Sequence, residues 1–255
     1  MRNLFWIGIV FFSIVSCSSL RLEQTIPALA VELSNAPGDT NLQALITPYR
    51  NEMKFKMDSV IGQSAFLLEK KRPESNLGNF VADLTFQYGY HDLKDDNLIE
   101  DNSQVFSLLN TGGLRSVVSE GNITIGDCFT LMPFNNEIVI LKISGDKVSE
   151  IITYLEKSGG EPVGNIRLAY TKYSNTNKKI ACQIGQQDFN PKKSYYVVTS
   201  DYLAKGGDNM SFREKPLEYI KTGKLLRDAI IEKVKSSKQK LEPVADGRIK
   251  FIKDE

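Results

Sequence analysis

A single histidine, His91, stands in a chain of 255 residues. A hydrolytic transition-metal centre draws on several convergent His, Asp, Asn or Glu ligands. With one His and no DxH, GNHE or GHxH grouping, a two-metal phosphoesterase centre is not expected here, and His91 beside Asp92 reads as a surface turn residue. Ser-His-Asp or Cys-His catalysis would need that same histidine, and no GxSxG turn accompanies it. The phosphate loop GxxxxGK[ST] and the dinucleotide fingerprint GxGxxG are missing too. An excess of charge is also lacking: 32 Lys+Arg against 31 Asp+Glu leave +1. That argues against a nucleic-acid polymer as partner, since backbone binding needs a basic face, but leaves room for a local anion pocket.

Cysteines are few, at Cys17, Cys128 and Cys182. Cys128 and Cys182 read as small core residues with free thiols, although an exported compartment would permit them to pair. No apolar run reaches the roughly 20 residues of a membrane span. The longest, residues 4–15, follows Arg2 and precedes Ser16, the pattern of an export signal over residues 1–16. Ile14-Val15-Ser16-Cys17 resembles a bacterial lipobox, in which the cysteine is lipidated and becomes the N-terminus. A cleaved soluble-secretion signal is the alternative. Residues 17–41, rich in Ser, Pro, Asn, Gly and Thr, read as the lipidated cysteine and its tether. The expected location is thus lipid-anchored on the periplasmic or cell-surface side of a bacterial membrane.

What remains, residues 42–255, has the composition of a globular domain: the whole chain is 41% hydrophobic and 25% charged. Leu42, Leu45, Ile46, Tyr49 and Met53 fall at helical steps, predicting a helix packed on the main domain. A clearer helix follows Ser75, with Leu77, Phe80, Val81, Leu84 and Tyr88 in one stripe, Ser75 as cap and Gly89 as its end. Strands are predicted over 104–109, 137–144, 166–173, 179–184 and 195–200. Residues 166–173 and 179–184 form a hairpin. Gly145-Asp146 reads as a turn before a helix over 147–157, Pro216 opens a final helix reaching 235, and 247–252 closes as a strand. The fold class is α+β, one domain with a mixed β-sheet flanked by helices.

Three segments then carry a resemblance: ESNLGNFVADLTFQYG at 74–89, NTGGLRSVVSEGNITIGDCFTLMPFNNEIVILKISGDKV at 110–148 and YYVVTSDYLAKGGDNMSF at 195–212. With ITPYRNEM and VIG upstream and GRIKF near the end, their order resembles the 5′-nucleotidase and UDP-sugar hydrolase C-terminal domain, over roughly residues 42–252. In that family a preceding calcineurin-like domain holds two divalent metals, while this domain binds the nucleoside and presents the phosphate. The resemblance therefore implies recognition of a nucleotide or nucleoside, no cofactor in this chain, and divalent metals on a separate metallophosphatase chain. It implies a 5′-nucleotidase-type hydrolase inactive by itself. A non-catalytic nucleotide receptor or scavenging lipoprotein is the alternative, and a structural lipoprotein that lost the pocket a third.

The resemblance also implies roles. Phe134 and Tyr202 occupy the positions of two rings between which the base stacks; read without it, both are core aromatics. Asn110 and Arg115, in a loop opened by Gly112 and Gly113, correspond to a base-contacting amide and a guanidinium on ribose or phosphate. Their alternatives are a turn former and a solvated charge. Asp208, after Gly206 and Gly207, aligns with a carboxylate for ribose hydroxyls, beside Lys205 where asparagine is frequent. Arg72, with Lys71 as the alternative register beside Pro73, corresponds to an upstream arginine that reaches the nucleotide. Asn76 and Asn79 read as cap and surface residues, and Asp83 as a local packing anchor.

Overall fold

The computed structural model describes residues 38–172, 178–210 and 216–253, and Cys17 with the export signal lies outside them. The chain divides into two units after Thr47. Helix α1, Thr40–Met57, begins in the first and ends in the second, and none of its residues is buried. The expected packed stripe is corrected accordingly: Leu42, Leu45, Tyr49 and Met53 are exposed. Charged Arg50, Glu52, Lys54 and Lys56 crowd the last turns, and Lys56 donates to Glu52 at 2.7 Å across one turn, a polar helix with only a sparse apolar row.

The second unit is α+β. Strands β1, Val60–Ser64, and β3, Gly121–Thr124, pair as an antiparallel ribbon. The central sheet has five strands in the order β10 (Glu218–Leu225), β4 (Glu137–Ser144), β9 (Ser194–Ser200), β2 (Val105–Leu108), β5 (Val163–Gly164). Its β2 and β9 run parallel, its other neighbours antiparallel. A second mixed sheet joins β11 (Ile249–Lys253), β6 (Ile166–Lys172), β7 (Lys178–Ile184) and β8 (Gln187–Asp188), with β11 parallel to β6 and β6–β7 the predicted hairpin. The expected α+β class with mixed sheet and flanking helices holds, the strands being shared between two mixed sheets.

The central strands are apolar without interruption because both faces are covered. On β4, Ile138 and Ile140 face α2 (Asn76–Asp95), α3 (Ile125–Leu131) and α6 (Leu226–Ser236), while Val139, Leu141 and Ile143 face α4 (Gly145–Ser158) and the second sheet. Strand β9 divides likewise, Tyr196 and Val198 against Tyr195 and Val197.

Three boundaries differ from expectation for packing reasons. Ser75 caps α2 by accepting from the Gly78 N–H at 3.0 Å, as the sequence indicates, but Gly89 lies inside the helix, which runs to Asp95. A Cβ there would sit 2.4 Å from Val198, so this glycine serves close approach of helix to sheet and not termination. His91 is consequently an exposed helix residue and not a turn. Gly145-Asp146 is the first turn of α4, capped by Ser144. Residues 218–225, assigned to a helix, form the edge strand β10: exposure alternates at period two from Tyr219 to Lys224, and the register shifts before Leu225.

Cys128 and Cys182 are both free. Burial is the largest cause that pushes their thiols up, to about 11 and about 12. At pH 7.5 alkylation of the folded chain is therefore expected to run roughly a hundredfold or more slower than in denaturant, because the thiolate is the nucleophile. Mass spectrometry after iodoacetamide checks it, and equal labelling would refute it. Between the ordinary value of 9.0 and about 11 the folded Cys128 holds a proton the unfolded one has lost, so stability should fall as pH rises through that window.

Candidate functional site

Strands β2 and β9 are parallel neighbours, so the loops leaving their C-terminal ends emerge side by side. Strand β4 runs opposite to β9 with Ile138 facing Ser200, so the loop entering β4 arrives at the same end. Three loops therefore meet: Asn110 and the 3₁₀ turn Thr111–Gly113 after β2, residues 132–136 before β4, and α5 (Asp201–Ala204) with the glycine turn after β9. Open α/β sheets place ligands outside the carboxyl ends of their parallel strands in this way.

Each loop is fixed by short-range chemistry. Ser200 caps α5 through the Leu203 N–H, and Asp201 accepts from the Glu137 N–H at 3.1 Å, tying the second loop to the third. Lys205 bonds Asp201 at 2.6 Å, so its ammonium is engaged beside α5. Gly206 takes φ 91, a left-handed conformation that suits glycine. At Gly207 an added Cβ would lie 2.4 Å from the Tyr202 ring, which rests directly on that backbone. Asp208 follows at φ 52, uncommon for a residue with a side chain, and its carboxylate ties the loops together: Tyr202 donates to Oδ1 at 2.8 Å and Asn110 Nδ2 to Oδ2 at 2.6 Å. The hydrogen bond from Tyr202 to this carboxylate is the main reason its hydroxyl ionises above the ordinary tyrosine range.

A cavity of about 350 Å³ opens between the loops. Phe134 and Tyr202 line it and remain 43% and 45% exposed, so neither is the core aromatic of the structural alternative. Asn110, Gly112, Gly113, Arg115 and Asp208 line it as well. The Arg115 guanidinium stands 5.9 Å from the Phe134 ring centroid, donates to the Gly112 carbonyl at 3.3 Å, and has no ion pair among the described residues. Half-exposed rings beside a cation, an amide and a carboxylate suit a flat polar ligand carrying negative charge.

The structure separates Arg72 from this group. Its Nε donates to the Gly160 carbonyl at 2.8 Å and its guanidinium pairs with Glu161, behind the Asn110 loop, and it does not line the cavity. Two residues that sequence reasoning passed over do contribute. Asn136 lines the cavity, and its only signal was its place two residues after Phe134. Glu161, 3% exposed, accepts from the Thr111 N–H and hydroxyl, both at 2.7 Å, across 50 residues of sequence, and itself lies outside the quoted segments. Asp83 pairs with Arg248 at 2.6 Å, the packing anchor expected of it. Asn76 and Asn79 donate to the Leu67 and Val244 carbonyls, and Asn79 is buried where a surface position was expected.

Among the described residues no three His, Cys, Asp or Glu converge as a metal would require, and no helix is long and apolar enough to cross a membrane. The carboxylate in the cavity is already bonded by Tyr202 and Asn110.

Comparison with known proteins finds relatives of the chain and of its fold. Trifunctional nucleotide phosphoesterase protein YfkN of Bacillus subtilis is 25% identical over 221 residues, 80% of this chain and 14% of that protein. An apyrase of Tabanus yao is 27% identical over 221 residues, 77% of this chain and 39% of it. The crystal structure of a 5′-nucleotidase precursor from Thermus thermophilus superposes with TM-score 0.65 at 21% identity, covering 85% of this chain and 44% of that one, a likeness of fold. The chain thus spans less than half the length of each. Residues 59–214 match the family described as 5′-nucleotidase, C-terminal domain, and the chain belongs to that family.

Proposed function

We propose that this chain is the nucleotide- or nucleoside-recognition subunit of a 5′-nucleotidase-type phosphohydrolase, acting with a metallophosphatase domain on another chain. The observation that carries the reading is the pair of half-exposed rings, Phe134 and Tyr202, on one cavity with Asn110, Arg115 and Asp208. A base lies against the rings, a ribose meets the Asp208 carboxylate, and the Arg115 guanidinium takes phosphate oxygens. Gly112 and Gly113 line the cavity without side chains, while Gly206 and Gly207 do not line it and instead shape the turn that seats Tyr202 and Asp208. Bond cleavage belongs to the divalent metals of the partner, and the residues here bind and orient. The names of the relatives, a nucleotide phosphoesterase and an apyrase, support the substrate class. The lipobox-like Ile14-Val15-Ser16-Cys17 supports an exported chain anchored to a membrane through lipid on Cys17.

Calorimetric titration with adenosine and adenosine monophosphate tests recognition. Saturable binding is expected, tighter for the monophosphate and weakened by salt, since a charge-assisted guanidinium–phosphate pair adds to stacking. Hydrolysis should appear only when a metallophosphatase chain and divalent metal are added. Binding without hydrolysis in any such mixture would turn the assignment to a receptor or scavenging lipoprotein, and absence of binding would remove both.

A further inference from the structure

Arg227 holds the second position of α6 and is 8% exposed, yet no carboxylate pairs with it among the described residues. Its Nε is buried and bonds to nothing, and its guanidinium carbon stands 4.1 Å from the centroid of the Phe129 ring on α3. A buried cation without a counter-charge is costly, so its neutral contacts show what it serves. Beside the Phe129 ring, its hydrogen bonds all fall on one loop. One terminal nitrogen donates to Asn135 Oδ1 at 2.7 Å, and the other reaches the carbonyls of Met132 at 3.4 Å and Phe134 at 3.5 Å, on either side of Pro133. The preceding residue adds a fourth tie, Leu226 N–H to the Asn136 carbonyl at 2.9 Å.

We propose that Arg227 is a positioning residue for ligand binding: it holds the loop 132–136 so that the Phe134 ring stands in the cavity wall before a ligand arrives. The inference rests on the nucleotide reading for its ligand and on the loop alone for its geometry. Phe134 itself is half exposed and packs weakly, so the ring is placed through its backbone, and that backbone is what the guanidinium grips. Stacking repays binding only where the ring is pre-placed, since ordering it at the moment of binding subtracts from affinity.

The test compares wild type with Arg227→Met, Arg227→Lys, Asn135→Ala and Phe134→Ala in the full chain. Replacing an unpaired buried cation by an apolar side chain of similar length leaves thermal stability near that of wild type. Against that background Arg227→Met should weaken adenosine binding about tenfold or more, with Arg227→Lys between the two. In the Arg227→Met, Phe134→Ala double variant the loss should not exceed that of Phe134→Ala alone, which a purely structural residue would not produce. Hydrogen exchange at the amides of 134–136 should accelerate in Arg227→Met without ligand. If that variant does not fold, Asn135→Ala, which removes one bond at an exposed residue, should show the same exchange change and a smaller binding loss. Wild-type binding that Arg227→Met leaves unchanged, or additive losses in the double variant, overturns the inference. Absence of wild-type binding overturns the nucleotide reading instead, and unchanged exchange then decides against Arg227 independently.

Discussion

Replacing both rings at once, Phe134→Ala with Tyr202→Ala, should remove measurable adenosine binding from a chain that still folds. Base–aromatic stacking contributes ~1–3 kcal/mol by alanine substitution of a ring, so two rings together account for about thirtyfold to twenty-thousandfold in affinity. The fold should tolerate the change because both rings are nearly half exposed and neither belongs to the two hydrophobic clusters. Calorimetry reads the binding, and thermal melting followed by circular dichroism reads the fold. Tyr202→Phe separates the ring from its hydroxyl: stacking persists while Asp208 Oδ1 loses its donor, so a loss of several-fold there belongs to the carboxylate's placement. A double variant that binds within about threefold of wild type would show that the base does not lie between these rings.

The residues of the cavity were legible because each of its loops announces itself locally. Asn110-Thr111-Gly112-Gly113 follows a buried apolar strand, and Gly206-Gly207-Asp208 follows another, so glycine marks where the chain leaves the sheet. Their meeting is a matter of topology: β2 and β9 pair in parallel, a fact no local pattern contains. The residues behind the cavity were not legible for the same reason. Arg227 and Glu161 are a cation in a helix and an acid in a turn, and what they hold lies 92 and 50 residues away. Arg72 shows the converse, since resemblance placed it on the ligand while its actual partner, Glu161, had no signature. For the fold, the strands buried on both faces were the clearest. Edge strand β10 was assigned to the helix that follows it because Pro216 reads as a helix start and the Leu/Ile/Val stripe of α6 lies just beyond, while half-exposed edges dilute the strand alternation.

Glu161→Ala should cost the chain more than any other single change around the cavity. One carboxylate oxygen accepts two bonds from Thr111 and the other pairs with Arg72, so its removal strands a backbone N–H and a guanidinium together. Breaking a buried pair by deleting one partner costs ~3–5 kcal/mol; because the Arg72 side chain is 47% exposed and solvent takes up part of its charge, about 2–3 kcal/mol is expected here. For a chain of this length that lowers Tm by roughly 5–10 °C. Binding should weaken too, for Thr111 is the neighbour of Asn110, and a loosened turn displaces the amide that Asp208 holds. Glu161→Gln keeps acceptor oxygen for one side and turns an NH₂ toward a donor on the other, so it should fall between wild type and alanine in both melting and titration. A melting temperature for Glu161→Ala within about 1 °C of wild type would mean that the turn is held by its own 3₁₀ hydrogen bonds and that the buried acid contributes little.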